Sequence, residues 1–191
     1  MLGALVVVAG LVAQPLAQSV VARPSSIVEA RTAPAGFLEM FVATVMPTGD
    51  GHTVVLVSPS EELLLPVEVA LPEAVTIYGR LEHKRAPSPM THDVLDSVVS
   101  ALGGTVVRVQ IDAFVDHSFT GVVVVRTRAG TDVSIDARAA DALAMALSAQ
   151  APIFVSRPVV SRAALTHDDI ERMSDNNGPP PDAAGTRTFD L

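Results

Sequence analysis

The chain has 191 residues, is 49% apolar yet only 4% aromatic, contains no cysteine and carries a formal net charge of -8. That length suits one domain with tails, and its core must be built from Val, Leu and Ala. Zero cysteines exclude disulfides, thiolate metal sites and a Cys nucleophile, and the acidic balance argues against nucleic-acid capture by a simple basic face.

The amino terminus opens with an apolar run, Leu2 to Ala13, followed by Gln14, Pro15 and small residues, with no charged side chain before Arg23. Residues 1–22 therefore read as a signal peptide, with Ala17-Gln18-Ser19 or Val20-Val21-Ala22 at the cleavage region, and predict a secreted or periplasmic protein. The run lacks a basic flank, so a membrane anchor, or a cytoplasmic chain with a misassigned start, is the alternative. Gln14, Pro15 and Gln18 make a poor membrane span. Residues 23–35 read as a linker, 36–173 as the folded domain, and 174–191, rich in Pro, Gly, Asp and Asn, as a disordered tail.

Within the domain, Phe37–Met46, His52–Ser58 and Leu63–Val69 have strand character, and Pro72–Leu81 has helix character. His92–Leu102 is the clearest helix. Val94, Leu95, Val98, Val99 and Leu102 recur at helical spacing, Thr91 is placed to cap it, and Gly103-Gly104 stops it. Thr105–Ile111, Phe119–Thr127 and Thr131–Asp136 follow as strands, then a helix over Ala140–Ala149, a short strand at Ile153–Val155 and a last helix over Arg162–Met173. A shift that lays Thr53 on Gly121 superposes strand on strand and helix on helix without gaps, and brings Glu73 onto Asp141. The expected fold is thus a single compact α+β domain built from a duplicated strand–strand–strand–helix unit.

Polar residues gather where these elements end. In "MTHDVL", His92 has the character of a general base or metal ligand with Asp93 beside it; the structural alternative is a capped helix start with an exposed His92. A near copy, "LTHDDI" at Leu165 to Ile170, favours capping. Asp136, Arg138 and Asp141 suit a divalent ion held by carboxylates with Arg138 on a phosphate, or an ion pair pinning a strand to a helix. Asp112, Asp116 and His117 fall in a hairpin loop, where Asp is favoured for backbone reasons. Arg80, His83, Lys84 and Arg85 form the one basic cluster. P-loop, GxSxG, GxGxxG and HExxH motifs are all missing from the sequence.

"LPVEVALPEAVTI", "PSPMTHDVLDSVVSALGGTVVRVQI", "SFTGVVVV" and "VSIDARAADALAMALSAQAPIFV" resemble, in order and spacing, the bifunctional nuclease domain family over roughly Val54 to Val160. The resemblance implies a compact α+β domain with nuclease activity on DNA and RNA, and its characteristic polar residues fall on Thr91, His92, Asp93, Asp136, Arg138 and Asp141. The chain departs from the family pattern at Arg138-Ala139-Ala140-Asp141, where Arg-Pro-Ser-Asp is common, and at Val69-Ala70, where Ile-Gly is usual.

The resulting expectation is an exported nuclease hydrolysing phosphodiesters of DNA or RNA. Asp136 and Asp141 would hold a divalent metal, Mg or Mn, while His92, Asp93 and Arg138 carry proton transfer and phosphate contact. The metal would supply the positive charge that an acidic protein lacks. The rival expectation is an exported binding or assembly module that keeps the fold without catalysis, with homo-oligomerisation open in either case.

Overall fold

The computed structural model describes residues 32–172, apart from Asp50, Pro59, Arg85, His167, Ile170 and Glu171. The expected leader, most of the linker and the tail lie outside the described residues. The elements run β1 (Phe37–Thr48), β2 (Gly51–Ser58), β3 (Leu63–Val69), α1 (Leu71–Leu81), α2 (Thr91–Ala101), β4 (Thr105–Val115), β5 (Ser118–Arg126), β6 (Asp132–Arg138), α3 (Ala139–Ala149), β7 (Ile153–Ser156) and α4 (Arg157–Ala163). The seven strands form one sheet in the order β3-β2-β1-β7-β4-β5-β6. Two antiparallel meanders, β1–β3 and β4–β6, flank β7, which pairs antiparallel with β1 and parallel with β4. A parallel neighbour needs a crossover, and α3 provides it by carrying the chain from edge strand β6 back to the centre.

Strand alternation turns Val54, Leu56, Leu65, Val67, Val109, Ile111, Val123 and Val125 into one apolar cluster with Ala74 and Ile77 of α1 and Ala142, Leu143 and Ala146 of α3. The alanines matter because small side chains let a helix lie close to the sheet and to a neighbouring helix, replacing the aromatic bulk this sequence lacks. Close approach also fixes Gly121, where an added Cβ would collide with the Gln110 carbonyl oxygen of the neighbouring strand.

The mixed α+β single domain is as expected. The order of three strands and a helix occurs twice, and the bounds of α1 and α3 differ by the same shift that lays Thr53 on Gly121. The pairing registers of the two meanders differ, however. Val55 pairs with Pro66, which by that shift calls for Val123 opposite Ser134, yet Val123 faces Ile135. Burial differs as well: Leu65 and Val67 are buried, while their counterparts Val133 and Ile135 are 44% and 49% exposed. Common descent of the halves is therefore not established by the fold. The helix expected over Arg162–Met173 is met in part: Asp168, Asp169 and Arg172 are helical, and a separate short helix, α4, precedes them. Helix α4 begins at Arg157, with Pro158 setting the first turn and Val159 and Val160 buried, and it ends before Leu165 pairs with Leu64 beside β3.

Candidate active site

Helix α2 is docked in an unusual way. Its spacing makes it amphipathic, yet its apolar residues Val94, Leu95, Val98 and Leu102 are exposed, and its one buried residue is His92. The helix begins one residue earlier than Thr91 capping would require. Met90 is the N-cap, and its backbone N–H donates to Asp93 Oδ2 at 2.8 Å. At the far end Gly103, in the left-handed region at φ +75°, lets Gly104 N–H bond the Val99 carbonyl at 2.9 Å, as in a Schellman ending. In the look-alike motif the threonine does take the capping part: Thr166 and Asp169 bond reciprocally, Thr166 N–H to Asp169 Oδ2 and Asp169 N–H to Thr166 Oγ1.

This start places His92 on the second helical residue, turned inward. Its Nε2 lies 3.0 Å from Asp141 Oδ1, in the first turn of α3. Arg138, the N-cap of α3, closes on the same carboxylate through Nε to Oδ2 at 2.8 Å and Nη2 to Oδ1 at 3.1 Å. Its Nη2 also donates to Glu73 Oε1 at 2.7 Å, in the first turn of α1. Three helix starts are thus joined by one chain, His92–Asp141–Arg138–Glu73. The acids sit where helix dipoles favour negative charge.

The electrostatics follow from those bonds. Burial resists ionisation of Asp141 more than any other single influence, but the bonds from Arg138 and His92 together outweigh it and hold the carboxyl below the ordinary aspartate range. Asp141 first, then Glu73, fix Arg138 in its charged form. Arg138 stays 62% exposed at its side chain, and its Nη1 makes no bond among the described residues. Nδ1 of His92 is likewise without a partner among them while keeping contact with solvent. Glu73 is buried, and its Oε2 has no hydrogen-bond partner among the described residues.

All four residues border a groove of about 510 Å³ whose other walls include Leu95, Val99, Ile135 and Met145. It joins a polar end, where proton and phosphate chemistry has donors and acceptors, to an apolar end.

The remaining expected residues are elsewhere. Asp136 reaches the rim of the groove, but strand alternation sets its side chain on the sheet face opposite Ile135, and it makes no ion pair among the described residues. Asp93 borders a different cavity, where its Oδ1 accepts from Arg80 Nη2 at 3.0 Å. Its carboxyl is held low first by the Met90 N–H and further by Arg80, against burial. Arg80 is spent on structure too, donating to Asp96 at 2.7 Å and to the Ala144 carbonyl at 2.5 Å. The basic cluster is thus not a free polyanion site at Arg80, and Arg85 lies outside the described residues. In the β4–β5 hairpin, Asp116 and His117 at φ 50° and 61° form a two-residue turn, which accounts for their presence.

Glu73 is a participant that the sequence marks as no candidate site residue. Its position opposite Asp141 in the internal alignment was the available signal.

A divalent ion fits this arrangement poorly. Among the described residues no three His, Asp or Glu side chains gather as a ligand set. Arg138 stands between Glu73 and Asp141, where a shared cation would be, and Asp136 points away.

Fold and site together define an α+β domain with an acid–histidine–arginine cluster at converging helix starts. Residues 54–168 match the bifunctional nuclease domain, and the chain belongs to that family. Two relatives, both uncharacterised proteins of Mycobacterium tuberculosis, Rv1829 of strain H37Rv and MT1877 of strain CDC 1551, are each 28% identical over 105 residues. The match spans 55% of this chain and 62% of each relative.

Proposed function

We propose that the chain hydrolyses phosphodiester bonds of DNA or RNA, with the reaction seated at the polar end of the groove. The observation that carries this reading is the bond between His92 Nε2 and Asp141 Oδ1. With Asp141 ionised it accepts Nε2–H, which leaves the lone pair of the imidazole on Nδ1, the nitrogen without a partner among the described residues. Nδ1 takes a proton from a water as its oxygen bonds phosphorus. The bond from phosphorus to the leaving oxygen breaks, and that oxygen receives the proton from His92. Arg138, oriented by Glu73 and Asp141, presents Nη1 to a non-bridging phosphate oxygen, where charge builds in the transition state.

Export stands as a second part of this reading, supported by the apolar run Leu2–Ala13. Amino-terminal sequencing of protein recovered outside the cytoplasm tests it, and an intact Met1 there would count against cleavage.

For catalysis, the full chain is incubated with end-labelled single-stranded DNA and RNA in Mg²⁺, Mn²⁺ or EDTA, beside His92→Asn and Asp141→Asn of verified melting temperature. The expected outcome is cleavage lost in both variants, and the EDTA arm decides whether a metal is required. Full cleavage by both folded variants overturns the site. No cleavage by the wild type in any buffer leaves the cluster as a clasp for α2 and moves the function to a binding module.

A further inference from the structure

A second cavity, of about 660 Å³, shares only Thr76 and Met90 with the groove at His92. Those two residues make the dividing wall, where Thr76 Oγ1 donates to Met90 Sδ at 3.7 Å. The cavity opens between the ends of α1 and α3, the first turns of α2 and the segment 83–90. Its charged groups are unevenly used. Arg80, with its side chain 11% exposed, holds Asp93 and Asp96. Oδ1 of Asp96 is left without a bond among the described residues. After Arg80, α1 ends with His83 in the left-handed region at φ 55°, and Lys84 N–H returns to the Gly79 carbonyl at 2.7 Å. That ending sets the Lys84 ammonium 5.5 Å from the centre of the Tyr78 ring. Its three N–H donors make no hydrogen bond among the described residues. Pro87, Pro89 and Leu147 add an apolar wall.

We infer that this cavity binds a nucleoside monophosphate. The ammonium of Lys84 meets the phosphate, and Oδ1 of Asp96 accepts from a ribose hydroxyl, the use that dinucleotide sites make of an acid. The base lies against Pro87, Pro89 and Leu147. Simpler ligands fit less well. An inorganic anion leaves Asp96 unused, and a cation is repelled by Lys84. An amino acid satisfies both charges but leaves most of the volume empty, whereas pockets of about 300–1,000 Å³ take molecules of nucleotide size. Hydrolysis in the adjoining groove leaves a phosphate-bearing nucleotide at a cut end, so the ligand has the chemistry of the product. That link to turnover rests on the proposed nuclease activity; the binding site does not.

Calorimetric titration of the full chain with adenosine 5′-monophosphate, in EDTA, tests the site. Saturable one-to-one binding is expected. Adenosine should bind at least about 10-fold more weakly, because the charge-assisted bond to the phosphate is lost. Lys84 is exposed, so Lys84→Ala leaves the fold intact and should bring the nucleotide down to the level of adenosine, while Lys84→Arg should keep most of the affinity. The 2′,3′-dideoxy nucleotide should also bind the wild type about 10-fold more weakly, which probes Asp96 without disturbing its bond to Arg80. His92→Asn should bind as the wild type does, and amide shifts on titration should centre on the segment 83–90 and Ser148. No saturable binding at millimolar nucleotide overturns the inference. So does equal affinity for adenosine or the dideoxy form, unchanged binding by Lys84→Ala, or binding lost in His92→Asn, which would place the nucleotide in the catalytic groove instead. These readouts do not depend on hydrolysis, so a failed nuclease assay leaves them intact.

Discussion

His92 is the side chain on which the chemistry and the packing meet. It is the buried member of a helix whose apolar residues Val94, Leu95 and Val98 are exposed, and Asp141 determines which of its nitrogens is free. His92→Asn removes the proposed base, and Asp141→Asn removes the acceptor that would fix its tautomer. Each should lower kcat by about 10²- to 10⁴-fold, with KM changing much less. Arg138 has a separate signature in pH. Asp141 is depressed in the folded chain, so the stability it adds is fully present above the ordinary aspartate value and is lost as pH falls through its folded value. Arg138→Ala removes the main lowering influence. Urea titrations should therefore show a stability gap between wild type and Arg138→Ala at about pH 6 that closes towards about pH 3. A gap independent of pH would mean that Arg138 acts through packing alone. Arg138→Lys should not restore the wild-type curve, because an ammonium cannot hold both oxygens of Asp141 and still reach Glu73. Of this cluster, His92, Arg138 and Asp141 were legible as residues, from their positions at helix starts. That His92 is buried was not, because a helical pattern with five apolar positions predicts that those positions, not the histidine, face the core. Asp136 reaches the rim of the same groove without bonding to the cluster among the described residues, a separation that sequence proximity to Asp141 does not reveal.

At the level of elements, most strands and helices could be read from the chain because valine alternation, Gly103 and the acid-led helix starts each carry a local signal. The fourth helix could not. Its sequence, Arg157 to Ala163, is short and lies against a strand it directly follows, so burial of Val159 and Val160 decides it rather than propensity. The start of α2 gives a test of role. Asp93 bonds the Met90 N–H and Arg80 and borders a cavity away from His92. Asp93→Ala should cost about 1 kcal/mol in chemical denaturation, as caps do, while hydrolysis per folded molecule stays within a few-fold. A loss as large as that of His92→Asn would return Asp93 to the catalytic group. Gly121 makes a sharper demand. A Cβ there meets the Gln110 carbonyl and the Ile111 backbone, neither of which can rotate away. Gly121→Ala should therefore destabilise by about 3 kcal/mol and separate β5 from β4 locally, visible as faster amide exchange in both strands.

For the whole molecule the governing quantity is charge. A net -8 repels a polyanion at long range, and the arginines that could offset it are mostly committed: Arg80 to Asp93 and Asp96, Arg126 and Arg108 to Asp132, Arg157 to Glu61. What attraction the proposed site offers a phosphate is short-ranged, from Nη1 of Arg138. Added salt screens the long-range term first, because the Debye length falls from about 14 Å near 50 mM to about 6 Å near 300 mM. The salt dependence should therefore run opposite to that of a nuclease with a basic face. kcat/KM on a long single strand should rise or hold over that range, where counterion release from a basic groove would make it fall steeply. A dinucleotide substrate, with little charge to repel, should show almost no change. Measuring both substrates in one titration separates field from contact. A steep fall for the long strand alone would mean that nucleic acid is held by a basic surface outside the described residues, and the groove at His92 would then be only where the bond is cut.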